Sequence, residues 1–374
     1  MASYFDSLQV GGLELQNRIW MPPLTRARAT TDGVPVELMV DYYRQRATAG
    51  LIISEGTYVS RDTCGFDRAP GIYTAEQVEA WKPVTDAVHD EGGRIYCQLW
   101  HCGRIGASGL LEGREPLSPS GVNDDPNEIN VYGLLDKGAY VKIAATPSRE
   151  MTAEDISRTI GDFARAARNA KAAGFDGVEL HAANGYLLHQ FLSPTLNRRE
   201  DKYGGSVENR ARFVMEIFEA AAAELPRGRV GVRVSPYASY NNTRDPDPHT
   251  TYSDLARRLD KAGAGYLHFA DMDGWFGNSK LDPILSALRP NYHGPIIANG
   301  GITVARGAEL LATNQVQAIT FGRGFLANPD LVARIARSAE IAAPRSEGWY
   351  ATGALGYTDY PVWRERDSVS ALTA

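Results

Sequence analysis

The sequence predicts a (β/α)8 TIM barrel with an N-terminal β-hairpin and a long lid-like insertion after the third strand. Short apolar runs alternate with amphipathic stretches, which is typical of parallel strands joined by helices, and the alternation repeats eight times. The runs are rich in Val, Ile and Leu and lack a regular polar alternation, as expected of strands covered on both faces. We therefore expect residues 1–374 to form one domain, since single barrels often exceed about 250 residues.

The strands and helices of this barrel can be placed from local signals. The eight candidate strands are 18–24, 50–56, 94–100, 177–183, 229–235, 265–271, 295–301 and 318–324. Thr74 is a candidate N-cap for the helix that ends near Gly92. Thr152 and Asp155 have the spacing of a capping box, and the helix that they open ends near Gly174.

Three segments lie outside the eightfold repeat. "LQVGGLEL" predicts a hairpin with Gly11 and Gly12 in a two-residue turn, placed to close the bottom of the barrel. Residues 101–150 are rich in Gly, Pro and Asp and show little helical pattern, which predicts a lid over the open face. The stretch from about residue 345 is rich in aromatic residues, so we expect it to pack against the barrel.

Composition favours a cytoplasmic protein with no nucleic-acid or membrane partner. Lys and Arg number 39 against 45 Asp and Glu, a formal net charge of −6, so no basic field points to such partners. No run approaches the roughly 18 apolar residues of a membrane span, and the first residues show no signal-peptide pattern. Cys64, Cys97 and Cys102 make no C-x-x-C pair and no even disulfide framework, which favours a reducing compartment. Both a monomer and a homodimer fit.

The last two strand endings predict a phosphate site, because the functional groups of such barrels collect at the carboxyl ends of the strands. The candidate residues are Gly300, Gly301, Gly322, Gly324 and Arg323. Glycines let backbone N–H groups approach an anion, and an arginine adds a bidentate cation. Ordinary turn glycines are the alternative, but two pairs on the last two strands favour phosphate. The G-x-G-x-x-A pattern at 322–327 also mimics a dinucleotide fingerprint, but a Rossmann unit would need more strands than the remaining residues, about fifty, provide.

Polar side chains at three other strand ends face the same barrel mouth. Thr25 follows the first strand, Gln98 lies near the end of the third, and Arg233 near the end of the fifth. Taken singly, each fits a loop cap or an ion-pair partner. Together they could bind a planar heterocycle with several carbonyls and ring nitrogens, such as the pyrimidine edge of a flavin.

The stretch "VELHAANGYLLHQFLSP" (178–194) places His181, Asn184, Tyr186 and His189 after the fourth strand. A metal site would need three or more ligands, and the chain has only seven histidines, with no His-x-His or His-x-x-x-His spacing, so we expect no metal. His181 could cap its own turn, or it could converge with Asn184 on one substrate oxygen. His189, on the following helix, is interpreted as structural.

Seven segments along the chain match one known family. They are "PPLTR" (22–26), "YYRQRATAGLIISEGT" (42–57), "QLWHCGRI" (98–105), "GFDGVELHAANGYLLHQFLSPTLNRREDKYGGSVENRARF" (174–213), "GVRVSP" (231–236), "GRGFLANPDL" (322–331) and "GYTDYP" (356–361). Together they resemble the Old Yellow Enzyme family of flavin-dependent ene reductases over essentially the whole chain. The branch with N-ethylmaleimide, morphinone, nitrate ester and 12-oxophytodienoate reductases is the most similar.

The resemblance implies an FMN cofactor. Thr25 would hydrogen-bond the flavin C4 carbonyl, while Gln98 and Arg233 would hold the pyrimidine edge. Backbone around Pro23, Leu24 and Gly56 would line the ring. The phosphate would lie on Gly300, Gly301, Gly322 and Arg323.

The resemblance also implies the reaction. NADPH or NADH would reduce the flavin, which would in turn reduce small α,β-unsaturated carbonyl or nitro compounds. His181 and Asn184 would bind the activating oxygen, and Tyr186 would supply a proton to the α-carbon. Trp100 and Tyr350 would wall the substrate pocket. The loop 270–280 after the sixth strand is not shared with the family, and we expect its Trp275 to reach into the pocket. One alternative is an FMN-binding barrel that has drifted to an isomerase or accessory role, but the intact Tyr186 argues against it. A second is the group of iron–sulfur dienoyl-CoA reductases that share this barrel, but these would need more cysteines and further domains.

Overall fold

The computed structural model describes residues 1–135 and 139–363, which form a parallel barrel surrounded by helices. The strands are β1 (Leu8–Val10), β2 (Leu13–Leu15), β3 (Ile19–Trp20), β4 (Ile52–Ile53), β5 (Thr57–Tyr58), β6 (Ile95–Trp100), β7 (Leu117–Ser118), β8 (Val131–Leu134), β9 (Tyr140–Ile143), β10 (Arg149–Glu150), β11 (Gly177–Ala182), β12 (Val230–Val234), β13 (Tyr266–Ala270), β14 (Ile296–Asn299) and β15 (Ala318–Thr320). The helices are α1 (Glu37–Arg44), α2 (Ala75–Asp90), α3 (Ala153–Ala172), α4 (Leu187–Leu192), α5 (Val207–Ala222), α6 (Pro248–Ala262), α7 (Leu281–Leu288), α8 (Val304–Ala312), α9 (Gly322–Ala327) and α10 (Leu331–Ala336).

The barrel strands follow the order β3-β15-β14-β13-β12-β11-β6-β4, and β5 adds to the edge of β6. A parallel bridge between Met21 and Ile52 joins the two ends of this path, so the barrel closes. Each of the eight strands lies inside one of the eight predicted runs, which confirms the (β/α)8 prediction. Several are shorter than predicted: β15 ends at Thr320 because helix α9 begins at Gly322.

Side chains along each barrel strand alternate between the barrel interior and the surrounding helices. In β11, Val178, Leu180 and Ala182 belong to the large apolar core beneath the helices. Glu179 and His181 lie on the opposite face, and Glu179 reaches His268 across the interior, although β11 and β13 are separated by β12. The bottom of the interior is apolar, whereas polar residues fill it toward the carboxyl ends of the strands.

The local signals at the helix and hairpin ends are confirmed. Thr74 and Thr152 both form capping boxes, at the N-termini of α2 and α3. β1 and β2 form an antiparallel hairpin around Gly11 and Gly12, which have φ of 53° and 77°. Val10 of this hairpin packs in the apolar cluster at the barrel bottom, as predicted.

The insertion 101–150 contains more regular structure than predicted. Strands β8 and β9 form an antiparallel hairpin, and β7 pairs with β10; residues 136–138 of the predicted lid lie outside the described residues. Arg104 and Asp125 form a buried bidentate ion pair, at 2.6 and 2.7 Å, which ties the start of the insertion to its middle. Two short 3-10 turns complete it, so the expectation of little helix is confirmed.

The segment from residue 345 to 363 packs onto the barrel, as predicted from its aromatic residues. Arg28 Nη1 donates to the carbonyl of Trp349 at 2.8 Å, and Arg28 Nη2 to that of Gly348 at 2.7 Å. The rings of Tyr42 and Tyr357 stack with centroids 3.9 Å apart. This anchoring brings Trp349 and its neighbours over the barrel mouth. Within residues 1–135 and 139–363, none of the helices has the length and apolar character needed to cross a membrane.

Candidate active site

A cavity of about 600 Å³ opens at the carboxyl ends of the barrel strands. The predicted site residues on its wall are Pro23, Leu24, Thr25, Gln98, Trp100, His181, Asn184, Tyr186, Arg233, Trp275, Gly300, Gly301, Gly322, Arg323 and Tyr350. Gly56, whose backbone was expected to line the flavin ring, is not among these residues but adjoins one of them. It lies behind Trp100, where an added Cβ would come within 2.4 Å of the indole. Gly56 therefore lets Trp100 pack closely against this strand end, and its contact with the flavin ring stays a prediction.

His181, Asn184 and Tyr186 bring three unpaired polar side chains to one part of this cavity. All three residues are at most 9% exposed. Their side chains make no hydrogen bond to any residue in the described part of the chain, and both His181 Nδ1 and Asn184 Oδ1 are fully buried without a partner. Most buried polar groups in folded proteins are paired, so this cluster is arranged for a ligand.

The backbone around Asn184 is held in an uncommon conformation. Asn184 has φ of 57°, in the left-handed region. Its N–H donates to Ser235 Oγ at 2.8 Å, and its carbonyl accepts from Asn241 Nδ2 at 2.9 Å. His189 Nδ1 accepts the N–H of Gly185 at 3.0 Å from outside the cavity, which is consistent with the structural role expected of it. The turn therefore places the Asn184 side chain on the cavity wall, while the backbone N–H and carbonyl of Asn184 are hydrogen-bonded to Ser235 and Asn241.

Burial controls the protonation of the two titratable groups in this cluster. It lowers the pKa of His181 well below its usual value, and the nearby positive charge of Arg233 lowers it further. Burial also raises the pKa of Tyr186 well above 10. At neutral pH the imidazole is therefore neutral and the phenol keeps its proton.

These two pKa shifts predict a flat pH profile for the alkene-reduction step that the sequence resemblance implies. Because His181 stays neutral above its lowered pKa and Tyr186 stays protonated below its raised one, the rate at saturating enone should be constant from about pH 6 to about pH 9. Stopped-flow reoxidation of the reduced enzyme across this range measures it. An inflection near the ordinary histidine pKa of 6.5 would contradict the burial argument.

Gln98, Arg233 and Asn299 form the floor of the cavity. Gln98 Nε2 donates to Glu179 at 2.8 Å, and Arg233 Nη2 donates to Asn299 Oδ1 at 2.8 Å. Arg233 Nε is buried without a partner among the described residues. Thr25, at the same level, makes no side-chain hydrogen bond to them. The floor therefore offers donors and acceptors in one layer, which suits the edge of a planar heterocycle. Sequence reasoning missed Asn299, which lies on the inward face of β14.

The glycine-rich end of the cavity depends on close backbone packing. Gly300 and Gly301 have φ of 132° and 62°, and an added Cβ on Gly301 would lie 1.9 Å from the carbonyl oxygen of Gly274. Asp271 fixes the loop that carries Gly274 by accepting its N–H at 3.0 Å. Arg323, in helix α9 after the neighbouring strand β15, forms no ion pair or side-chain hydrogen bond with the described residues. This end suits an anion, since it combines an unpaired cation with approachable backbone.

Replacing Gly301 by alanine tests the need for this packing. We expect Gly301→Ala to destabilise the fold and to weaken retention of the FMN that the sequence resemblance implies, because the Cβ would meet backbone that cannot rotate away. Gly205→Ala is the matched control: Gly205 also has a positive φ, of 79°, but no atom lies within 4 Å of the added Cβ, so it should cost only about 1–2 kcal/mol of strain. Thermal unfolding and FMN titration measure both; equal behaviour of the two variants would contradict the expectation.

An aromatic wall faces the His181 cluster. The Trp100 ring lies edge-on to Tyr186 with centroids 4.8 Å apart. The ring centroid of Phe66 lies 5.8 Å from that of Trp100 and 5.5 Å from that of Tyr350. Tyr132, in the β8–β9 hairpin of the insertion, has its ring centroid 5.7 Å from that of Tyr350. Sequence reasoning missed Phe66 and Tyr132, and also Tyr240 on the cavity wall. This wall suits a flat apolar ligand body.

Comparison with known proteins identifies the family. The model of the NADH:flavin oxidoreductase / NADH oxidase family matches residues 3–341. A solved structure of the Old Yellow Enzyme homologue from Zymomonas mobilis is 40% identical, with a TM-score of 0.90, covering 96% of this chain and 100% of that one. The chain belongs to the Old Yellow Enzyme family.

Two further relatives place this Old Yellow Enzyme homologue among the reductases. Morphinone reductase in complex with tetrahydroNAD is 38% identical, with a TM-score of 0.92 over 98% of this chain and 99% of that one. A probable flavin mononucleotide-dependent alkene reductase of Leishmania infantum is 39% identical over 95% of this chain and 96% of its own. The barrel of this Old Yellow Enzyme homologue is thus the family's fold.

Proposed function

We propose that the cavity is the active site of an FMN-dependent ene reductase that uses NAD(P)H to reduce alkenes conjugated to a carbonyl or nitro group. The chain is an FMN-dependent, NAD(P)H-using oxidoreductase by family and relatives. FMN, when bound, would accept hydride from the nicotinamide and deliver it to the β-carbon. Small enones are the substrate class.

The cavity fits this cofactor at both ends. Arg323 and the backbone at Gly301 and Gly322 would hold the phosphate, and their unpaired groups support this assignment. Gln98 and Arg233 would hold the pyrimidine edge, and Thr25 would donate to the C4 carbonyl. A volume of about 600 Å³ lies within the usual range of cofactor pockets.

The observation that carries the proposal is the unpaired trio of His181, Asn184 and Tyr186. His181 and Asn184 would donate to the substrate's oxygen, which withdraws electron density and stabilises the negative charge that develops there as the β-carbon is attacked. Tyr186 would give its proton to the α-carbon, so that hydride and proton together add H₂ across the double bond. Trp100 and Tyr350 would hold the body of the substrate, and Trp275 would close the mouth.

The reaction can be tested in two halves. Purified protein should be yellow, NADPH or NADH should bleach it without oxygen, and 2-cyclohexenone should restore the colour. A colourless protein that does not take up FMN would overturn the proposal. Bleaching without reoxidation by any activated alkene would favour the isomerase or accessory role instead.

We further propose a cytoplasmic protein, monomeric or homodimeric, that acts without nucleic acid or membrane, with the whole chain as one FMN-binding unit. Cys64, Cys97 and Cys102 are all free thiols, which supports a reducing compartment. Size-exclusion chromatography with light scattering would decide between the two oligomeric states.

A further inference from the structure

A carboxylate lies at the centre of the barrel, beneath the cavity floor. Glu179 has no solvent exposure and does not line the cavity. It precedes His181 by two residues in β11, so both side chains point into the barrel. It accepts hydrogen bonds from Gln98 Nε2 and from His268 Nδ1, each at 2.8 Å, and from the Tyr266 hydroxyl at 3.1 Å.

This hydrogen-bond pattern indicates an ionised carboxylate. An ionised carboxylate only accepts, and three donors from two strands converge on it, Gln98 from β6 and both Tyr266 and His268 from β13. A buried charge needs such compensation, and Arg233 on the neighbouring strand adds an opposite charge. The pKa of Arg233 is lowered by burial, and Glu179 opposes that effect.

Glu179 also fixes the orientation of the Gln98 amide. The two ends of an amide are nearly equivalent in shape, but only the NH₂ end can face a carboxylate. The Gln98 Oε1 makes no hydrogen bond to the described residues, and Gln98 lines the cavity. The amide therefore presents an acceptor and one remaining N–H to whatever lies on the floor.

We propose that Glu179 is a positioning residue that sets the affinity and the reduction potential of the flavin, through Gln98 and Arg233. This inference rests on the proposed function, since it requires the pyrimidine edge on these two residues. The carboxylate keeps the Gln98 amide in the binding orientation. Its charge also offsets part of the Arg233 charge, and so limits how strongly the site favours the negative charge that reduction adds to the flavin.

Glu179→Gln tests the charge part, because it removes the charge and keeps the shape. We expect the reduced cofactor to gain affinity relative to the oxidised one by about tenfold, which is a positive shift of ~30 mV in the two-electron midpoint potential. Potentials measured against redox dyes report this without turnover. Asp162→Asn is the matched control: Asp162 is a buried carboxylate on helix α3, outside the barrel, and the variant should leave the potential unchanged.

The outcomes separate this inference from the proposed function. Wild-type protein that binds no FMN would contradict the proposed function itself. Wild-type protein that binds FMN, with an unshifted potential in Glu179→Gln, would overturn only the role of Glu179. If that variant does not fold, Glu179→Asp is the second test, because it keeps the charge but moves the carboxylate away from Gln98. We expect the folded Glu179→Asp protein to bind FMN about tenfold more weakly. Unchanged FMN binding would overturn the inference.

Discussion

Tyr186→Phe is expected to slow enone reduction by about 10²–10⁴-fold while flavin reduction by the nicotinamide stays nearly unchanged. The substitution removes one hydroxyl that has no hydrogen bond within the described residues, and it keeps the ring packed edge-on to Trp100. Folding and FMN binding should therefore survive. Stopped-flow spectroscopy of the two half-reactions measures the separation directly.

A matched control exists on the same cavity wall. Tyr350→Phe also removes a phenol hydroxyl, but in a residue assigned to holding the substrate body, so its oxidative rate should stay close to that of the wild type. If both half-reactions of Tyr186→Phe fell together, the proton donor would be another group. The same conclusion would follow if Tyr350→Phe were as slow as Tyr186→Phe.

Removal of the His181 or Asn184 side chain should give the second-largest loss in the rate of enone reduction. We expect His181→Ala and Asn184→Gly each to lower the rate of enone reduction by about 10²–10³-fold, as found when one donor to a developing oxyanion is lost. Glycine is chosen at 184 because the φ of 57° would strain alanine. The double variant should lose less than the product of the single losses, since both donors hold one oxygen.

FMN retention distinguishes a substrate role from a structural one. Both variants should keep the yellow cofactor but bind a phenol ligand weakly, as followed by the change in the flavin spectrum. Asn314→Gly is the control for the backbone change, because Asn314 also has a positive φ, of 55°, at an exposed loop. Loss of FMN from His181→Ala would assign His181 to the fold.

The sequence predicted the barrel from local patterns, whereas much of the cavity wall was predicted from the resemblance to the Old Yellow Enzyme family. The apolar runs and the caps at Thr74 and Thr152 follow from periodicity and capping chemistry. The strand-end residues could be found because carboxyl ends of parallel strands meet at one face. The roles assigned to Thr25, Gln98 and Arg233 stay predictions, and the Glu179 variants address those of Gln98 and Arg233.

The parts that could not be predicted depend on contacts between distant segments. Tyr240 enters the cavity because Asn241, in a strained turn with φ of 53°, accepts from Asn130 of the lid and donates to the Asn184 carbonyl. No local pattern encodes such a contact. Glu179 lies inside an apolar run, and its two-residue spacing from His181 indicates that both side chains face the barrel interior. Only the closed barrel shows that Glu179 accepts hydrogen bonds there from Gln98, Tyr266 and His268. The close packing of Trp100 against Gly56 could not be predicted either, because a strand-end position does not reveal which larger neighbour covers it.

The central claim is that His181, Asn184 and Tyr186 surround one substrate over a flavin. A crystal structure of the protein with FMN and a bound phenol tests it most directly. We predict the phenol oxygen within about 3 Å of both the His181 ring and the Asn184 amide, with the ligand against Trp100 and the cofactor phosphate at Arg323. A phenol bound elsewhere, or a flavin whose phosphate lies away from Arg323 and Gly301, would contradict the account.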